Sequence, residues 1–194
     1  MLNLVIFGGP GSGKGTQSKK IKDNYGLFHI STGEVLRDHI ARDTEIGRTA
    51  NQYISKGQLI PDDLMISIVE DLLDSRPEET ANGVIFDGFP RTIAQAEALD
   101  KALKARGRDI DAVVGLEVDD DELVNRMLLR GRQTGRADDN EDTIKNRLSV
   151  YHQQTSPLKD FYIADGRYHR IDGAKGIDEI FSQISDKLDN IKHD

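Results

Sequence analysis

LNLVIF at Leu2–Phe7, followed directly by GGPGSGKGT at Gly8–Thr16, decides the fold. A short apolar run bounded by glycine reads as a buried strand, and the residues from Lys14 to about Asn24 read as a helix. Strand, glycine loop, lysine and helix in that order match a P-loop. Glycines let the backbone curl so that successive N–H groups point inward, and the helix N-terminus adds partial positive charge toward a phosphate. Gly11, Ser12, Gly13, Lys14, Gly15 and Thr16 are therefore candidate triphosphate-binding residues, with Lys14 reaching the β and γ phosphates. A glycine-rich turn that only capped a helix would need neither the lysine nor the apolar run before it.

Outward from this loop, β-rich runs alternate with helical stretches. Phe28–Ile30, Val84–Phe86, Ala112–Val118 and Tyr168–Ile171 are further strand candidates; the last three precede helical pattern at Thr92–Ala105, Glu122–Leu129 and Ile177–Ile191. In the last of these, Ile177, Ile180, Phe181, Ile184, Leu188 and Ile191 form one apolar stripe that predicts packing on a sheet. The alternation predicts an α/β fold, a parallel five-stranded sheet covered by helices on both faces. Ser31–Ser75 is helical in pattern, divided by Gly33, Gly47, Gly57 and Pro61, and predicts an inserted helical flap. Arg130–Asn140 is polar and non-periodic, which predicts an exposed, mobile connection before helix resumes near Glu141.

The chain has 194 residues, a net charge of −8, 37% hydrophobic residues and no cysteine. This length predicts one domain, and the charge disfavours a surface that tracks nucleic acid. Any polyphosphate must then be held by a local basic cluster against a mildly repulsive global field. The apolar runs are too short to cross a bilayer, and the first residues lack the pattern of a secretory signal, so a cytoplasmic protein without membrane or nucleic-acid partners is expected. Absence of cysteine excludes disulfides and thiolate metal sites.

A P-loop implies only a nucleoside triphosphate; the reaction depends on what could hold an acceptor. Ser31-Thr32-Gly33-Glu34-Val35-Leu36-Arg37 places a helix cap at Ser31 or Thr32 and Arg37 one turn further on. Phe86-Asp87-Gly88-Phe89-Pro90-Arg91-Thr92 ends an apolar strand in a carboxylate, beside the P-loop as a Walker-B aspartate is. Gly88 permits close backbone approach, Pro90 stiffens the turn, and Arg91 offers a fork suited to phosphate. Together with the P-loop, DGFPR resembles the signature of the adenylate kinases. The resemblance extends over essentially the whole chain, including Gly57-Gln58-Leu59-Ile60-Pro61 and Gln95.

That resemblance implies a P-loop NTPase fold carrying a helical AMP-binding flap and a short lid, with core 1–30, 61–129 and 141–194, insert 31–60 and lid 130–140. It implies reversible phosphoryl transfer from Mg·ATP to AMP giving two ADP, with ATP, AMP and ADP as partners of a monomer. Thr32, Arg37, Gln58, Leu59, Ile60, Gly88, Phe89, Pro90, Arg91, Gln95, Arg136 and Arg147 would contact AMP. Thr32 and Gln95 favour adenine over the pyrimidines of UMP/CMP kinases. Arg126, Arg130 and Lys175 would meet ATP, and the catalytic set would be Lys14, Arg91, Arg130, Arg136, Arg147, Asp138 and Asp139. Arg126 and Arg130, four apart, share one helix face, and forked guanidinium donors suit the charge of a migrating phosphoryl group.

Gly15 stands where a generic P-loop has a magnesium-ligating hydroxyl, which comes one residue later at Thr16. By resemblance Mg²⁺ is carried largely by ATP phosphates and water, with Asp87 reaching it through water, and the short lid without cysteines needs no zinc. Asp138 and Asp139 also suit capping of the helix near Glu141, and the acidic run Asp119–Glu122 suits a helix start. His29, His39, His152, His169 and His193 show no metal-binding spacing and receive no chemistry. Two rival readings remain: a nucleoside monophosphate kinase of neighbouring specificity, and a non-catalytic nucleotide switch, in which Arg37, DGFPR and Gln95 would have no purpose.

Overall fold

The computed structural model describes residues 1–191; His193 lies outside them. Five parallel strands, β1 (Leu4–Gly8), β2 (Phe28–Ser31), β3 (Val84–Asp87), β4 (Ala112–Glu117) and β5 (Tyr168–Asp172), form one sheet in the order β2-β3-β1-β4-β5. Alternate residues serve opposite faces. Val5 and Phe7 join Ile30, Val84, Phe86 and Val113 in one apolar cluster, while Leu4 and Ile6 join Ile85, Ala112, Val114 and Ile171 in another. Both faces being buried explains why β1 reads as an unbroken apolar run rather than an alternating one.

Helices α1 (Lys14–Tyr25) and α9 (Ile177–Ile191) cover the second cluster through Ile21, Ile180, Ile184 and Leu188. The first is covered by α2 (Thr32–Ala41), α3 (Glu45–Ile54), α4 (Asp62–Ser75), α5 (Ile93–Lys104) and α8 (Leu158–Ala164). On α6 (Asp120–Thr134) and α7 (Glu141–Val150), Leu123, Met127, Ile144 and Leu148 make a smaller third cluster. A π-helical turn over Tyr151–Thr155 connects α7 to the segment before α8.

The structure departs from the sequence reading at four places. Gly33 and Gly47 lie inside α2 and α3 and break neither. Gly47 serves close approach instead: a Cβ there would sit 2.1 Å from the carbonyl oxygen of His39 on the preceding helix. The polar stretch expected to start at Arg130 is still helix through Thr134, because exposed polar residues satisfy a helix once one face is packed. The cap of α7 is Asn140, whose side chain accepts from Thr143 N–H at 3.0 Å; Asp138 and Asp139 are buried and paired elsewhere. Finally, Tyr151–Ala164 forms a π turn and α8, where no element was expected. Among the described residues no helix is long and apolar enough to cross a membrane.

Candidate active site

Because β1 lies between β3 and β4, the chain leaves the carboxyl edge of the sheet there in opposite directions and opens a cleft, as α/β sheets do at such a switch point. The cleft has a volume of about 710 Å³. Among the described residues, Lys14, Lys19, Arg37, Arg91, Arg126, Arg130, Arg136, Arg147 and Lys175 line it against only Glu34, Asp87 and Asp138. This is the local basic cluster that an acidic chain needs to hold polyphosphate.

On the P-loop side, Lys14 Nζ donates to the carbonyls of Gly8 and Gly9, each at 2.9 Å, which bends its side chain back over the loop. Part of Lys14 remains accessible, but its ammonium is held against these two carbonyls. Desolvation there, with Arg91, Arg147 and Arg130 nearby and Asp87 opposing them, pushes its pKa down to about 7. Register places Asp87 opposite Ile6 on β1 and Ser31 on β2. Burial disfavours its charge, yet the hydrogen bond from His29 and the positive charges of Lys14 and Arg91 hold its carboxyl below the usual range. His29 Nε2 donates to Asp87 Oδ2 at 3.1 Å, with both side chains almost fully buried. A lone carboxylate, its other oxygen free of His29, with the Thr16 hydroxyl on the adjoining helix, is a hard-oxygen set that fits Mg²⁺ arriving on a nucleotide and retaining waters.

On the opposite side, Ser31 caps α2, accepting from Glu34 N–H at 3.4 Å, while Thr32 Oγ1 donates to the Gly88 carbonyl at 2.9 Å. Arg91 Nε donates to the same carbonyl at 2.8 Å. Gly88, at φ 80°, occupies the left-handed region, and a Cβ there would lie 2.8 Å from Thr32 Oγ1. Only glycine lets Thr32 and Arg91 converge this way. Burial, reinforced by Arg147, Arg136 and Arg37 and opposed by Asp87, lowers the pKa of Arg91 to about 10. Arg37 and Arg147 are likewise lowered, burial first. Arginine stays protonated at neutral pH, so these shifts report charged guanidinium groups that are buried and set close to one another.

At the third edge, Asp139 accepts from Arg130 at 2.6 and 2.8 Å and from Arg147 at 2.8 Å, its side chain wholly inaccessible. Asp138 accepts from Arg136 at 2.5 and 3.0 Å. Burial works against its charge, but Arg136 and Arg147 win and bring its pKa to about 2. Arg126 bridges Glu122, at 2.8 Å, to the carbonyls of Ser12 and Gly173 at 3.4 and 3.0 Å.

The cleft thus brings together the expected loop residues Gly11–Thr16 with Thr32, Arg37, Gln58, Leu59, Ile60, Asp87, Gly88, Pro90, Arg91, Gln95, Arg126, Arg130, Arg136, Asp138, Arg147 and Lys175. Phe89 is not among them: it is 2% exposed and belongs to the apolar core. Asp139 lies behind the arginines it pairs with. The Lys175 ammonium is exposed and bound to Glu179 at 2.6 Å, and Arg132 is exposed, off the cleft. Sequence reasoning missed His29 and Asp62, the latter accepting from Gln95 and Thr92. Both pairings cross between elements distant in sequence; only the alternation of β2, which puts His29 on the side of Ser31, could have hinted at the first.

Comparison with known proteins identifies the family. A family model described as adenylate kinase matches residues 6–167. The chain is 56% identical over 191 residues to the adenylate kinase of Bacteroides thetaiotaomicron, covering 98% of this chain and 100% of the relative. It is 53% identical to that of Parabacteroides distasonis, covering 99% and 100%. To that of Porphyromonas gingivalis it is 45% identical, covering 99% and 98%.

Proposed function

The chain belongs to the adenylate kinase family, and from that premise we propose how its own residues carry the family's reaction. It is an enzyme of ATP:AMP phosphoryl transfer, moving the γ-phosphoryl group of Mg·ATP to AMP and yielding two ADP. The observation that carries the assignment to residues is the joining of a P-loop to a second phosphate-seeking group, Arg37 and Arg91, across a single arginine-rich cleft.

The triphosphate lies along Gly11–Thr16, where main-chain N–H groups and Lys14 meet its phosphates. Its base rests against Arg126, which Glu122 and the carbonyls of Ser12 and Gly173 hold in place. The Lys175 side chain adds little there. AMP lies opposite, its phosphate on Arg37 and Arg91, its base near Thr32, Gln58–Ile60 and Gln95, with Phe89 contributing through its main chain alone. Mg²⁺ supplies charge neutralisation and orientation of the triphosphate when bound, and Asp87 is the carboxylate that would hold it through water.

An AMP phosphate oxygen attacks the γ-phosphorus in line while the bond to the departing ADP oxygen breaks, with no covalent enzyme intermediate. Lys14, Arg91, Arg130, Arg136 and Arg147 bear on the migrating group, and their positive charge is worth most where water is excluded. Asp138 and Asp139 hold three of these arginines in aim. We assign residues 31–60 and 130–140 as the parts that close over AMP and ATP, keeping water from acting as acceptor. The enzyme acts as a monomer without zinc.

The test is a coupled assay of ADP formation with ATP and each of AMP, UMP, CMP and GMP. AMP should be the best acceptor. Faster turnover on CMP would overturn the acceptor assignment, and ATP binding without any ADP formation on adding AMP would identify a switch instead.

A further inference from the structure

The side-chain amide of Gln95 is gripped from two sides. Its Oε1 accepts the main-chain N–H of Arg91 at 2.8 Å, and its Nε2 donates to Asp62 Oδ1 at 2.8 Å. The same Asp62 oxygen accepts the Thr92 hydroxyl at 3.0 Å, and that hydroxyl, capping α5, accepts the Gln95 main-chain N–H at 3.2 Å. A main-chain N–H can only donate and an ionised carboxylate can only accept. These partners therefore fix which end of the amide is oxygen and which is nitrogen.

A primary amide offers two N–H donors and two lone pairs on oxygen. After Asp62 and Arg91 take one of each, one N–H and one lone pair remain. Gln95 is 2% exposed yet lines the cleft, so a ligand in the cleft, rather than bulk water, is within reach of these two sites.

We propose that Asp62 is a specificity-determining positioning residue, which locks the Gln95 amide so that the acceptor site selects a 6-aminopurine over a 6-oxopurine monophosphate. The inference rests on the reading that Gln95 faces the acceptor base. A 6-aminopurine presents a donor at its exocyclic nitrogen and an acceptor at N1; a 6-oxopurine presents an acceptor at O6 and a donor at N1. The two patterns are reversed. A glutamine free to turn its amide over serves either, whereas one held in a single orientation serves one. Turning Gln95 over would set its oxygen against the Asp62 carboxylate and its NH₂ against the Arg91 N–H. Two hydrogen bonds would become two like-facing contacts at a buried site.

The lock has a second property. Asp62 begins α4 and Thr92 caps α5, so base selection is anchored in the helices of the core rather than in α2 and α3.

The experiment compares wild type, Asp62→Ala, Asp62→Asn and Gln95→Leu, measuring kcat/KM for AMP and for inosine monophosphate with ATP as donor. Calorimetric binding of the two monophosphates is the second readout. Asp62→Ala should narrow the preference for AMP over inosine monophosphate roughly tenfold. Asp62→Asn should fall between wild type and Asp62→Ala, because its own amide presents either oxygen or nitrogen to Gln95. A merely structural role would weaken both substrates equally and leave the ratio at its wild-type value, which would overturn the proposal. Should Asp62→Ala fail to fold, an unchanged ratio in Asp62→Asn would do the same. If Gln95→Leu collapses the ratio and the Asp62 variants do not, the lock alone is wrong. If Gln95→Leu leaves the ratio untouched, the placement of the base fails, and the lock with it.

Discussion

Lys14 should gain a proton when the triphosphate binds, and the amount should depend on pH in a defined way. In the free enzyme its pKa is about 7, against an ordinary value of 10.5, because burial and three neighbouring arginines disfavour the charge more than Asp87 favours it. A bound polyphosphate supplies negative charge to the same ammonium and restores the protonated form. At pH 8, one unit above its free value, roughly nine-tenths of Lys14 is neutral, so binding should take up about 0.9 proton; at pH 6 it should take up about 0.1. Titration calorimetry of Mg·ATP in buffers of different ionisation enthalpy measures this uptake directly. The nucleotide's own protonation is removed by subtracting the same titration of Lys14→Met at matched saturation. A difference between the two proteins that stays flat from pH 6 to pH 8 would refute the reasoning. The same shift bears on folding. Between pH 7 and 10.5 the unfolded chain holds a proton on Lys14 that the folded free enzyme does not, so this group's contribution to stability rises with pH across that window and is least on its acid side.

Two further substitutions probe the arginine network and the helix pair. Asp139→Asn leaves Arg130 and Arg147 short of the charge they now share at 2.6–2.8 Å and should cost about 3 kcal/mol, read as a lower urea midpoint; an unchanged midpoint would count against it. Gly47→Ala forces a methyl into the His39 carbonyl, so α2 and α3 should separate at a cost of about 2 kcal/mol, with a lower Tm and weaker AMP affinity. A wild-type melting curve would contradict this.

What the sequence made legible was whatever is written locally. β1, the loop and α1 carry their own punctuation, and DGFPR compresses strand end, turn and cation into five residues from Asp87 to Arg91. Arg126 and Arg130 could be paired on one face because helical spacing is arithmetic. The rest depends on contacts between distant residues. Asp138 and Asp139 suited a helix start on local grounds, yet Asn140 takes that role because the aspartates are drawn toward Arg130, Arg136 and Arg147. His29 looked idle because its partner is 58 residues away, and Asp62 drew no reading at all because Gln95 lies 33 residues on. Phe89, inside a motif of ligand-facing residues, turns into the core, since a strand end at a buried edge has apolar space to fill. Tyr151–Thr155 escaped notice because a π turn breaks the helical period on which recognition depends.

The pairing of Ile6 with Asp87 on adjoining strands has a consequence for how such an enzyme can diversify. The carboxylate and the phosphate loop are set relative to each other by the spacing of a main-chain ladder, a rigid ruler on which a slip of one residue would turn Asp87 to the opposite face. The neighbourhood of the reacting phosphates is therefore insulated from side-chain drift, and new substrate preferences can arise at the starts of α4 and α5 without recalibrating it. Chemistry is written in the sheet, where mutation has little leverage; choice of acceptor is written in the helices, where it has a great deal.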